Sequence, residues 1–179
     1  MTSITITEAL AEIPTTLKRI EKKREFVKSF LYRQSAVRDP HEKDGGSSEL
    51  IERERQAIVD LENRIIAIRN AIQNANQVNE ITIGNQTRTI NEWLIWRREI
   101  ANNSKSFDGS IAAALNVLRN EAMKKGIGVS DQDKGYSSDY VVNINEKKLA
   151  ETIENLEEIL GKLDGQLSLN NARLMIEVP

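Results

Sequence analysis

The strongest constraint on this chain is the recurrence of apolar residues at three- and four-residue spacing over stretches too long for anything but helix. Ile51, Ile58, Leu61, Ile65, Ile68 and Ile72 form one such stripe, and Leu149, Ile153, Leu156, Leu160, Leu163 and Leu167 form another. A third runs through Leu10, Ile13, Leu17, Ile20, Val27 and Leu31. Each stripe lies on one face of a 3.6-residue helix, with charged residues on the other faces. Aromatics are only 4% of the residues, so the core is built mostly from Ile, Leu and Ala, which suits helix-on-helix packing.

The first helix is expected over residues 5–35, opened by the capping-box spacing of Thr5 and Glu8. Pro14 predicts a kink or a restart, because proline removes a backbone donor. Residues 38–48 read RDPHEKDGGSS and predict a loop. Ser47 or Ser48 then caps a second helix carried to about residue 75. Two long helices joined by a loop of this length fold back on each other. Residues 80–89, EITIGNQTRT, predict a β-hairpin turning at Gly84-Asn85. Thr89 and Glu92 repeat the capping-box spacing and start a third helix. Asn, Ser, Asp and Gly over 102–109 predict a break in it, with resumption over 111–125. Residues 126–138 form a second polar loop. Tyr140, Val142 and Ile144 alternate as a short strand, Asn145 caps the last long helix, and 174–178 closes the chain as a strand.

The expected fold is therefore α+β, mainly α: long antiparallel, coiled-coil-like helical hairpins with a small sheet of short strands at one end. At 179 residues it reads as a single domain, comprising a helical hairpin over 5–76, a β-hairpin over 80–89, helices over 90–125 and a strand–helix–strand segment over 139–178.

Composition removes many functions. With no cysteine, disulfides, thiolate zinc sites and cysteine nucleophiles are excluded. With His41 as the only histidine there is no histidine pair or triad, and its loop position predicts a solvated residue. No metal, cofactor or catalytic residue is expected, and the reading is of a non-enzyme. The net charge of -2 gives no global field for a nucleic acid polymer. No signal peptide or apolar span is evident, so no membrane contact and a cytoplasmic location are expected. Gly45-Gly46-Ser47-Ser48 precedes a helix as an anion-binding loop does, but lacks GK[ST] and does not follow a strand.

One cluster stands out. Trp93, Trp96, Arg97 and Arg98 hold both tryptophans of the chain, and Arg88 lies close by. Indole and guanidinium together can stack on a base and hold a phosphate, so these five are the candidate site for a small anionic, nucleotide-like ligand. The bland alternative is a core anchor at Trp93 with Arg97 or Arg98 paired to carboxylates. Surplus apolar residues on the first helix (Phe26, Phe30, Tyr32) and a free final strand point to homo-oligomers.

Three stretches resemble a septicolysin-like family of small uncharacterised bacterial and phage proteins. They are Glu8-Ala9-Leu10 followed by Leu17-Lys18-Arg19-Ile20; residues 79–97, NEITIGNQTRTINEWLIWR; and residues 141–170, ending Leu163-Asp164-Gly165-Gln166-Leu167-Ser168-Leu169-Asn170. The resemblance implies an oligomeric helical-hairpin protein encoded by phage or prophage, hence in the host cytoplasm. Two functions are expected from these readings together. One is sequestration of a small anionic ligand or a protein partner at subunit interfaces. The other is a structural or virion-associated assembly role with no small-molecule ligand.

Overall fold

In a computed structural model, which describes residues 2–131 and 139–179, strand β1 (Thr2–Thr5) runs straight into helix α1 (Ile6–Ser29). A turn of 3-10 helix (Glu42–Asp44) precedes α2 (Gly46–Val78). Strands β2 (Glu80–Ile83) and β3 (Gln86–Thr89) follow, then α3 (Ile90–Ile95), a π-helical turn (Trp96–Ala101) and α4 (Asn102–Lys125). Strands β4 (Val129–Ser130) and β5 (Tyr140–Val141) lead to α5 (Glu146–Arg173) and β6 (Met175–Val178). The fold is mainly helical, with three separate two-stranded sheets among the described residues: β1–β6 and β2–β3 antiparallel, β4–β5 parallel.

The chain divides into two compact units. Unit 1 holds residues 1–79 and 168–179. In it α1 and α2 pack antiparallel: Glu12 pairs with Arg64, whereas Lys23, further along α1, pairs with the earlier Glu54 at 2.6 Å. Arg64 grips Glu12 with a two-pronged bond, Nε to Oε1 at 2.5 Å and Nη2 to Oε2 at 3.1 Å. This contact lowers the pKa of Glu12 and raises that of Arg64. The core is Ile6, Ala9, Ile13, Ile68, Ile176 and Val178.

That core corrects the expected stripe on the first helix. The buried face is Ile6, Ala9, Ile13, Thr16 and Ile20, while Leu10 and Leu17 stay 46% and 50% exposed. The β1–β6 sheet causes the rotation, because Ile176 and Val178 cover the Ile6 side of α1. The C-terminal strand is accordingly not free; it pairs along its whole length with β1, where no strand was expected. Pro14 neither breaks α1 nor restarts it. It lies on the exposed face, where water can replace the missing amide donor.

The helix also ends six residues early, at Ser29. The loop beyond it is fastened by Asp39, whose carboxylate accepts from the Ser47 amide at 2.9 Å, the Ser47 hydroxyl at 2.6 Å and the His41 amide at 2.9 Å. Ser47 does not cap α2 itself; Asp39 reaches across the loop to do so. Anions are favoured at a helix N-terminus. The bonds from Ser47 and the His41 amide, with Arg33 nearby, lower the Asp39 pKa to about 2.

Unit 2, residues 80–167, repeats this layout. In each, a strand with alternating burial pairs antiparallel with a strand that ends on a threonine and becomes a helix: β6 with β1, β2 with β3. Thr5–Glu8 and Thr89–Glu92 are both complete capping boxes. The long helices match as well. Ile58, Leu61, Ile65, Ile68 and Ile72 of α2 recur at one constant interval as Ile153, Leu156, Leu160, Leu163 and Leu167 of α5. Ile68 and its counterpart Leu163 are both fully buried. Asn79 and Leu174, which link each helix to its strand, donate their amides to Ala75 and Asn170 respectively. The internal repeat has a sequence trace, S-I-T-I-T-E-A-L against T-R-T-I-N-E-W-L, which helical stripes and motif spacing do not expose.

The third helix shows a second correction. Residues 102–109 do not break it; helix runs from Ile90 to Lys125, and the irregularity is the π turn one turn earlier. Asn, Ser and Asp cost well under about 1 kcal/mol each in a helix and Gly about 1, so anchoring elsewhere overrides them. Ala101 and Ala122 supply it at the ends, both fully buried. The helix stops at Gly126, whose φ of 67° allows a paired closing turn: its amide bonds to Met123 and that of Ile127 to Ala122. α4 and α5 run antiparallel, joined by Lys105–Glu157 at 2.7 Å and by Arg119–Glu146. Of the loop expected over 126–138, residues 129–130 are strand β4 and 132–138 lie outside the described residues. Asn145 caps α5 as expected, accepting from the Lys148 amide at 2.9 Å. Gly161 and Gly165 face open space, so neither serves a close helix approach.

Candidate functional site

The candidate residues all stand where β3 becomes α3. The hairpin turns at Gly84-Asn85 with positive φ on Gly84 alone, which is the demand of a type II′ turn. Thr89 then caps α3: its hydroxyl accepts from the Glu92 amide at 3.1 Å, and its own amide donates to the Glu92 carboxylate at 2.8 Å. That cap fixes the direction of the first helical turn and drives Trp93 beneath the hairpin.

Trp93 is 1% exposed, and its Nε1 donates to the Ile81 carbonyl at 2.9 Å. A buried indole needs such a partner, and the bond ties helix to hairpin. Trp96 meets it edge-on, with centroids 5.3 Å apart and planes at 86°. The Arg88 guanidinium lies 5.0 Å from the Trp93 ring centroid. Thus Arg88, Trp93 and Trp96 are brought together as one stack.

Arg97 and Arg98 leave it. Arg97 donates to Asp164 on α5 at 2.7 Å, and Arg98 folds back on Glu99 at 2.7 Å. Of the three arginines, only Arg88 makes no ion pair among the described residues. The face of Trp93 that a nucleobase would need is enclosed, and two of the three cations face carboxylates. The π turn that carries Arg97 and Arg98 is the type of helix irregularity often found at functional sites.

Two features escaped the sequence reading. The first concerns His41, which is half-buried rather than fully solvated. Its ring packs edge-on against Phe30 at 4.7 Å and near Phe26 at 6.1 Å, and its Nε2 is buried with no hydrogen-bond partner among the described residues. Phe26 and Phe30, expected to need cover from elsewhere, are covered by this loop histidine and by each other at 4.8 Å. Tyr32 stays 90% exposed. A Phe-Phe-His contact across a loop has no local sequence signature.

The second is an open cleft of about 890 Å³ in unit 2, lined by Arg119, Asp131, Asn143, Glu146 and Lys147 among others. It arises because β4 and β5 pair in parallel ahead of α5, which periodicity could not foretell. Its charges are mixed, and Arg119 is engaged with Glu146. Among the described residues, no cluster of three or more His, Asp or Glu could hold a metal ion. Nor, among them, is any helix long and apolar enough to cross a membrane.

Compared with known protein families, curated proteins and solved structures, the chain matches none of them.

Proposed function

We propose that the protein is a non-enzymatic assembly protein whose helical hairpins join copies of the chain through exposed apolar flanks. One observation carries this reading. Three helices each present two large apolar side chains seven residues apart and largely exposed. They are Leu10 and Leu17 on α1, Val59 and Ile66 on α2, and Ile100 with Phe107 across the π turn and α4. Seven-residue spacing puts each pair on one face, two turns apart, which is the pattern of a shallow helix–helix seam. Isolated exposed leucines need no explanation, but recurrent pairs of this kind mark contact surfaces.

Analytical ultracentrifugation of the intact chain tests it. A concentration-dependent oligomer is expected, dispersed by Leu17→Lys with Phe107→Lys while helical circular dichroism is kept. A chain that stays monomeric at every concentration contradicts the proposal.

A second reading, capture of a small anionic ligand, is favoured by Arg88 alone, since its cation stands over an indole with no carboxylate partner among the described residues. Calorimetry against a panel of nucleotides, with Arg88→Ala as the comparison, decides it. Binding that Arg88→Ala abolishes supports the ligand, and no heat from any nucleotide removes it.

A further inference from the structure

The two strand pairs have the same register but are closed differently. In unit 2, β2 and β3 are joined by Gly84-Asn85, so each chain must supply both strands itself. In unit 1 the partner of β1 is β6, and the rest of the chain lies between them. β6 follows α5, whose residues up to Leu167 belong to unit 2, through the single residue Leu174. Unit 1 therefore completes its core with a strand delivered from far away in the sequence. That strand inserts two side chains, Ile176 at 5% and Val178 at 0% exposure, beside Ile6, Ala9 and Ile68.

We propose that the β1 edge of unit 1 is a strand-acceptor site and that β6 of a second copy can fill it, so that copies exchange C-terminal strands. The occupant is set by the site itself. It requires a four-residue strand with alternating apolar residues, antiparallel to β1, and the chain's own β6 supplies it in register from Thr2↔Val178 to Thr5↔Met175. Main-chain bonds give such a donor strand its affinity, and alternate side chains in pockets give its specificity. An exchanged β6 makes between two chains the same bonds and the same packing that it makes within one, so the swap costs little. Strand exchange does not depend on the helix-flank contact proposed above.

The absence of cysteine leaves introduced thiols without competitors. Ser3 and Glu177 are cross-strand partners in unit 1, and Thr87 and Thr82 are their counterparts in unit 2; all four are exposed. Chains carrying only Ser3→Cys are unfolded and refolded together with chains carrying only Glu177→Cys, then oxidised and resolved on a non-reducing gel. Covalent heterodimers are expected. The matched mixture of Thr82→Cys with Thr87→Cys chains should give only the background of random collision, because its turn forbids exchange. Equal heterodimer yields from the two mixtures overturn the proposal. Repeating the first mixture in the Leu17→Lys, Phe107→Lys background separates the two ideas: strand exchange survives there even if flank contacts do not exist.

Discussion

Units 1 and 2 share one plan and fill it differently. Register places Ile6 opposite Ile90, Ile68 opposite Leu163, and Ile176 with Val178 opposite Ile81 with Ile83; every one of these is buried. The candidate site falls where their chemistry diverges. Where unit 1 has Ile4, Ala9 and Ile13, unit 2 has Arg88, Trp93 and Arg97. Pro14 and Arg98 stand at equal distances from their cap threonines, so both helices carry a backbone irregularity at one level, a proline in α1 and a π turn in unit 2. The frame is thus tolerant of what fills its centre. A small alanine suffices where a distant strand completes the core, and a tryptophan bonded to the hairpin serves where the strands are closed by a turn.

The largest effect should come from exchanging those fillings. Trp93→Ala removes a buried indole and its bond to Ile81, and is expected to cost about 3–5 kcal/mol in denaturant unfolding. Hydrogen exchange should place the loss in unit 2, and a loss spread equally over both units would break the comparison. Next come Ile68→Ala and Leu163→Ala, each expected to cost about 2–5 kcal/mol. If the frames are equivalent, the two costs agree within about 1 kcal/mol, given the usual spread of such measurements. A large difference would show that one unit tolerates the cavity and the other does not.

Smaller are the caps. Thr5→Ala and Thr89→Ala should each lose about 1 kcal/mol, read as protection of the first turn of α1 and of α3. Smallest is an acid effect led by unit 1; among the described residues of unit 2 the lowered carboxyl is Glu158, held by Lys162. The folded-state pKa of Asp39, about 2, lies below its ordinary 3.8, so its contribution is complete above pH 4 and is lost as pH falls towards 2. Glu8 and Glu12 are lowered too, by the bonds from Thr5 and from Arg64, and add in the same direction. The thermal midpoint should therefore fall between pH 4 and pH 2, less steeply in Asp39→Asn. Parallel slopes in the two proteins would exclude Asp39 as a contributor.

The legible part of this molecule is the part governed by local rules. Both capping boxes, the Asn145 cap, the turn at Gly84-Asn85 and the α2 and α5 stripes follow from spacing, because each depends on residues within a turn or two of one another. The candidate site was half legible. The sequence singled out Trp93 and its arginines, and also held the bland alternative in which Trp93 anchors a core and Arg97 meets a carboxylate. It could not choose, because the choice depends on Ile81 and Asp164, which come from a hairpin and from a helix more than sixty residues away.

What the sequence determined by itself, then, is where helices form and how they begin, since amphipathic period and cap chemistry are local. Only the tertiary structure decided which face of α1 is buried, because the β6 strand that covers Ile6 and Ala9 comes from far along the chain and outcompetes Leu10 and Leu17 for the interior. It also decided that Pro14 and the polar run over 102–109 are absorbed rather than obeyed, since tertiary packing outweighs a local preference of about 1 kcal/mol or less per residue in the polar run and about 3 kcal/mol for the proline. The pairing of β1 with β6 was settled in the same way: a strand's partner is chosen by complementary burial and register, which nothing in its own four residues specifies.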